Sequence, residues 1–207
     1  MRLRPGIAVM TLVAATSCSH PAPDPSQRST KPTYDTRTGK LTQLIFDRNR
    51  NGVMDTWTDM DGPRPIRSRI DQDEDGKIDR WEYYSPDQKL EKIGSSRAHD
   101  GKEDAWSYLG PDGTVARIDV SLRRDGRVTR VEHYQRDVLV AAEEDGDDDG
   151  KMDKWETYDG DRLASVAFDT QHRGTPDRRL IYGPDGTARI EVDEKGDGRF
   201  EAQKIRK

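Results

Sequence analysis

Apolar residues fall on alternate positions over short stretches of this chain, most clearly at Ala116/Ile118/Val120, Val140/Ala142, Ala164/Val166/Phe168 and Ala188/Ile190/Val192, each interleaved with mostly polar residues. A period of two puts the apolar side chains on one face of a pleated backbone, so each stretch predicts a half-buried β-strand. A segment marked by Trp or Tyr precedes these stretches, and turn signals separate the two: Asp61-Gly62, Pro86-Asp87, Pro111-Asp112-Gly113, Asp159-Gly160 and Pro184-Asp185-Gly186. Each unit reads as a β-hairpin. The units recur on a fixed ruler, because Gly52, Gly76, Gly101, Gly126, Gly150, Gly174 and Gly198 are separated by 24, 25, 25, 24, 24 and 24 residues. Trp57, Trp81, Trp106 and Trp155 lie five residues after a repeat glycine; Tyr84, Tyr134, Tyr158 and Tyr182 lie eight after theirs. Repeats four and six carry Val131 and Arg179 at the Trp position. Such a period predicts an all-β repeat array of about seven β-hairpins, roughly 14 strands, forming an elongated antiparallel meander sheet or solenoid over residues 38–207.

The tyrosine-then-turn punctuation from Leu41 to Lys207 is similar to MORN-type repeats, and that resemblance implies short hairpin units stacked into an extended sheet. Composition agrees with a thin array. Leu, Ile, Val and Phe together make 34 residues of 207, too few for a large core. Yet four Trp and a net charge of only −5 do not fit a self-repelling disordered chain. The basic residues are interleaved with acidic ones, which excludes a phosphate-binding stripe and, with it, a nucleic-acid partner. The acids divide into 29 Asp and 11 Glu, an excess of the residue that favours turns, caps and metal loops.

Residues 1–17 read as a signal peptide: Arg2 and Arg4 precede an apolar run from Ile7 to Ala15, shorter than a bilayer-spanning helix. Ala15-Thr16-Ser17-Cys18 resembles a bacterial lipobox, and Cys18 is the only cysteine, so no disulfide forms within the chain. The resemblance implies lipidation of Cys18 and attachment to a membrane through that lipid. Ser19 stands where Asp would imply inner-membrane retention, so the implied destination is the bacterial outer membrane, facing the periplasm or the surface. An ordinary signal peptide with an incidental cysteine is the alternative. Residues 18–37, with Pro21, Pro23, Pro25 and Pro32 among Ser, Thr and Gln, have the composition of an extended linker.

The loops around the repeat glycines carry the candidate chemistry. Asp71-x-Asp73-x-Asp75-Gly76-x-x-Asp79-x-x-Glu82 and Asp145-x-Asp147-x-Asp149-Gly150-x-x-Asp153-x-x-Glu156 place oxygen ligands at positions 1, 3, 5, 9 and 12 with Gly at 6. Both resemble the EF-hand calcium loop, in which alternate residues of a tight loop supply the six to eight oxygens that Ca2+ prefers. The resemblance assigns the backbone carbonyls of Lys77 and Lys151 to position 7. A third loop, with Asp47, Asn49, Asn51, Gly52, Val53 and Asp55, matches through position 9 but has Thr58 at 12, which implies weaker binding. The other loops depart from the pattern. Repeat three has Ser96 and Ala98 beside Asp100 and Asp104, repeat four Arg123 and Thr129 around Asp125, repeat six Arg173 between Asp169 and Asp177, and repeat seven Lys195 between Asp193 and Asp197. These read as turns held by Asx hydrogen bonds or internal ion pairs.

An EF-hand loop normally sits between helices, whereas Tyr83-Tyr84-Ser85-Pro86 after Glu82 gives at most one helical turn. A dockerin-like array of loop-helix units is the alternative fold and requires period 3.6 after each loop. The Trp positions read as a row covering the sheet, part of which could bind a protein or glycan partner on one open face. His20, His99, His133 and His172 share no metal-ligand spacing, and no nucleophile motif surrounds a Ser, so the chain does not read as an enzyme. The expected function is that of an exported cell-envelope lipoprotein, a structural or interaction module stabilised by Ca2+. A metal-independent β-repeat scaffold is the alternative.

Overall fold

A computed structural model describes residues 30–203; the signal segment, Cys18 and the linker through residue 29 lie outside the described residues. Fifteen antiparallel strands form one sheet in strict chain order: β1 (Thr30–Tyr34), β2 (Leu41–Phe46), β3 (Thr56–Asp61), β4 (Arg64–Ile70), β5 (Arg80–Tyr84), β6 (Leu90–Ser95), β7 (Ala105–Leu109), β8 (Val115–Val120), β9 (Arg130–Gln135), β10 (Val138–Glu144), β11 (Lys154–Asp159), β12 (Arg162–Phe168), β13 (Arg178–Tyr182), β14 (Ala188–Val192) and β15 (Glu201–Ala202). The all-β hairpin meander is therefore what the chain adopts. No helix occurs among the described residues, so the dockerin-like alternative is overturned: the period-two pattern, with a turn after each aromatic segment, leaves no helical face to build.

The sheet begins earlier than the sequence pattern suggests. β1 lies inside the stretch read as linker and pairs with β2 from Thr30↔Phe46 to Tyr34↔Leu41. Pro32 is compatible with this because β1 is an edge strand, where a missing N–H can face solvent. An initial hairpin thus precedes six full repeat hairpins, and the seventh repeat adds only β15 among the described residues.

Register places the repeat positions in continuous rows. One row runs across the sheet from Ile45 through Trp57, Arg69, Trp81, Gly94, Trp106, Asp119, Val131, Glu143 and Trp155 to Ala167, Arg179 and Glu191. Directly opposed residues share a face, so the four tryptophans form the row expected of them, one on every second strand up to Trp106. Arg179 keeps a place in this row without an indole, because its guanidinium stacks 4.3 Å from the Phe200 ring and pairs with Glu191 at 2.6 Å. The substantial contacts fall between sequence-adjacent strands, and few apolar side chains are buried: Ile70, Trp81, Ala105, Val120, Ala142 and Val166. Each strand covers its neighbour instead of packing on a second layer.

A meander puts alternate connections at opposite ends of the strands. Tight turns occupy one end. The seven long loops, beginning at Asp47, Asp71, Ser96, Ser121, Asp145, Asp169 and Asp193, occupy the other, two strands or about 10 Å apart. Neighbouring loops are stitched together by backbone bonds, as from Asp71 N–H to Asp55 O (2.9 Å), Ser96 N–H to Asp79 O (2.9 Å) and Asp169 N–H to Asp153 O (2.9 Å).

Candidate metal loops

All seven loops share one backbone frame. Position 6 is the repeat glycine with positive φ, +89° at Gly76 and +90° at Gly150, and position 4 is also left-handed in every loop. The position-1 side chain closes the turn by accepting the position-6 N–H: Asp47 from Gly52 (2.7 Å), Asp71 from Gly76 (2.9 Å), Asp145 from Gly150 (2.9 Å), and even the Ser121 hydroxyl from Gly126 (3.2 Å). Position 9 returns to the position-2 N–H, as Asp79 does for Gln72 (2.7 Å), Asp104 for Arg97 (2.8 Å) and Asp153 for Gly146 (3.1 Å). Position 5 accepts the position-7 N–H in loops with and without the full acidic pattern, including Asp75 from Lys77 (2.8 Å), Asp125 from Arg127 (2.9 Å) and Asp149 from Lys151 (2.8 Å). Carboxylates at 1, 5 and 9 are thus accounted for by Asx turns.

Position 3 varies in residue type, although in the three matching loops it too accepts a turn N–H, Asp73 from Asp75 and Asp147 from Asp149 at 3.2 Å and Asn49 from Asn51 at 3.0 Å. It is Asp73, Asp147 or Asn49 in the three matching loops and Ala98, Arg123, Gln171 or Lys195 elsewhere, although the frame is the same. Asp73 joins Asp71 and Asp75 in a group whose ligand oxygens lie within 4.8 Å of one another; Asp147 does the same with Asp145 and Asp153. Asp71 is 5% exposed, and its Oδ1 is buried without a hydrogen-bond partner among the described residues while Oδ2 holds Gly76. A buried carboxylate oxygen left unpaired is costly, so a cation or a further donor is favoured beside it; Asp177 Oδ2 of the sixth loop is buried and unpaired in the same way. Lys77 partly offsets the charge nearby: its ammonium lies 3.1 Å from Asp75 Oδ2 and holds that carboxyl below its usual range, helped by the Lys77 N–H.

The position-12 glutamates do not join these groups. The loop ends at position 9 and the strand resumes at position 10, so Glu82 and Glu156 sit within β5 and β11 on the face opposite the Trp row. Glu82 accepts from Arg80 (2.8 Å) and Tyr84 (2.6 Å), and Glu156 from Lys154 (2.8 Å), Arg130 (2.9 Å) and Tyr158 (2.9 Å). Glu132 repeats the arrangement with Arg130 (2.9 Å) and Tyr134 (2.9 Å) after a loop that lacks the acidic pattern. The glutamate belongs to a basic-Glu-Tyr stripe of the sheet. Burial alone would raise the Glu156 carboxyl, but the bonds from Lys154, Arg130 and Tyr158 hold it down to about 2; burial and Glu132 push the Tyr134 hydroxyl up to about 12.

In the first loop the Asn49 and Asn51 amides donate to Glu74 of the second loop (2.6 and 2.7 Å), Val53 N–H donates to Asn51 (2.8 Å), and Asp55 accepts from Arg48 (3.0 Å) and Thr56 (2.7 Å). The histidines were not singled out by spacing, yet the fold brings two of them to the acidic loops: His99 beside Asp73 and Asp79, and His172 beside Asp147 and Asp149. Both occupy position 4 of the loop that follows a complete acidic loop, a coincidence visible only once the loops are aligned on the repeat. No family model matches this chain, and no curated protein matches it.

Proposed function

We propose that the chain is a Ca2+-binding β-repeat module of the cell envelope, with the loops of Asp71–Asp79 and Asp145–Asp153 as its ion sites. The observation that carries this reading is the buried, unpaired Asp71 Oδ1 within an oxygen group completed by Asp73 and Asp75, with a like group at Asp145, Asp147 and Asp153. All-oxygen clusters of this kind suit a hard cation, and the exposed outer ligands suit the weak affinities of extracellular modules. The loop at Asp47 would bind more weakly, having amides at positions 3 and 5. With position 12 committed to the sheet, water would supply the remaining oxygens. Ion binding neutralises clustered carboxylates and stabilises the folded loop by mass action. Export and a lipid at Cys18 rest on the signal-like segment, and place such a module at the outer membrane.

Thermal melting of the chain in EGTA and then with added Ca2+ tests the metal site. The expected outcome is a higher Tm with Ca2+; an unchanged Tm would sink it and leave a metal-independent scaffold. For that second reading the supporting observation is the row of Trp57, Trp106 and Trp155, half-buried on a sheet with no second layer among the described residues. A protein or glycan partner on that face would quench Trp fluorescence on binding.

A further inference from the structure

In four loops the left-handed residue at position 4 reaches back to the preceding loop. Glu74 meets Asn49 and Asn51, Asp148 meets Arg123 at 2.8 Å and also Arg127, His99 meets Asp73 and Asp79, and His172 meets Asp147 and Asp149. The pairing is complementary in each case. The amide loop receives a carboxylate, the arginine loop receives an aspartate, and the two complete acidic loops each receive an imidazole. We propose that loops 2 and 5 are composite sites closed by the histidine of the following repeat, and that Asp73/Asp79/His99 and Asp147/Asp149/His172 take a borderline first-row divalent ion of the Zn2+ class.

Three observations carry the argument. The ligand atoms of each triad already lie within 4.8 Å of one another, with His172 Nδ1 3.1 Å from Asp147 Oδ2 and His99 Nδ1 3.6 Å from Asp79 Oδ1. Ligands about 2.1 Å from one ion sit roughly 3 to 4.2 Å apart, so small side-chain rotations suffice. Each triad shares its position-3 aspartate with the all-oxygen group, which in loop 2 also contains Asp71, buried with its Oδ1 unpaired among the described residues. Finally, the loop bearing His99 is held against loop 2 by Lys77, whose ammonium donates to His99 O at 3.2 Å. Two carboxylates and one imidazole favour Zn2+ over Ca2+, which seeks an all-oxygen shell, and leave a fourth position to water. Because His99 and His172 are 72% and 60% exposed, an ordinary surface ion pair would contribute little to stability, whereas a shared metal would tie adjacent repeats together.

The inference rests on reading loops 2 and 5 as metal loops, but its test separates the two. The full chain is titrated calorimetrically with Zn2+ and, separately, with Ca2+, alongside H99G/H172G and, as a control, H133Q. Glycine is the residue that the seventh loop carries at this left-handed position (Gly196, φ +69°), so the backbone is undisturbed. The expected result is two Zn2+ bound per chain, Zn2+ affinity lowered at least about tenfold in H99G/H172G but not in H133Q, and Ca2+ affinity unchanged in both variants. Zn2+ affinity equal to wild type in H99G/H172G overturns the proposal and leaves the Ca2+ reading standing. Histidine-dependent Zn2+ binding without Ca2+ binding supports the proposal and removes the Ca2+ reading, and binding of neither ion removes both. Should the glycine variant misfold by circular dichroism, H99N/H172N keeps a residue tolerant of positive φ and is read in the same way.

Discussion

Within each loop, individual residues divide into those that build the turn and those that the turn does not need. Gly76 is a builder. Nothing lies within 4 Å of a Cβ placed there, so Gly76→Ala meets no clash, but its φ of +89° is a conformation that side-chain-bearing residues disfavour. The substitution is expected to cost about 1–2 kcal/mol in metal-free protein, read from the urea midpoint. Asp73 belongs to the other class, since its only bond within the frame is the 3.2 Å acceptance of the Asp75 N–H. Asp73→Ala with Asp147→Ala should leave metal-free stability within about 0.5 kcal/mol while abolishing the Ca2+-induced rise in Tm. A variant that retained the full rise would remove position 3 from the metal site. Sequence reasoning weighted all the aspartates of a loop alike. The structure concentrates the information in one of them, because Asp125 and Asp149 hold their turns in the same way although only the second stands in an acidic loop.

At the scale of the element, the hairpin repeat was legible because period two, turn signals and a 24–25-residue ruler all point the same way. Position 12 shows how spacing along the chain and placement on a sheet can differ. The loop spacing groups Glu82 and Glu156 with the position-1, -3 and -5 carboxylates, whereas the pleat sends them to a sheet face, where Arg80 and Arg130 with Lys154 hold them. The first hairpin escaped notice for the opposite reason: Thr30–Tyr34 has little apolar content, and its strand character comes from pairing with β2. The glutamate stripe supports its own prediction. Glu156 has a folded-state value of about 2 against an ordinary 4.5, so it binds its proton less readily when folded. Its contribution is therefore fully present above about pH 4.5 and is lost as the pH falls toward 2. Glu156→Gln should lower stability at neutral pH by about 2 kcal/mol, leaving Arg130 and Lys154 with fewer partners, and should flatten the acid limb of the stability profile. An unaltered acid limb in urea titrations between pH 5 and 2 would show that the bonds around Glu156 do not persist in solution.

At the scale of the molecule, the single sheet of the described residues runs in strict chain order without long-range closure, so cooperativity passes from strand to neighbouring strand. Stability should then be graded along the array. β15 contributes two residue pairs to the sheet and β1 is exposed throughout, whereas the centre carries Trp81, Ala105, Val120 and Ala142 buried and the Arg130 network joining Glu132, Glu144 and Glu156 across three strands. Native-state hydrogen exchange is expected to release the amides of β15, β14 and β1 first and those of β5 to β11 last. Ca2+ should add protection locally, on the hairpins flanking Asp71–Asp79 and Asp145–Asp153, since backbone bonds and side-chain contacts between neighbouring loops transmit ordering to the adjacent repeat, with no second layer among the described residues through which to reach further. Uniform exchange across all strands would imply a closed or double-layered array, and uniform protection by Ca2+ would imply coupling that this sheet lacks.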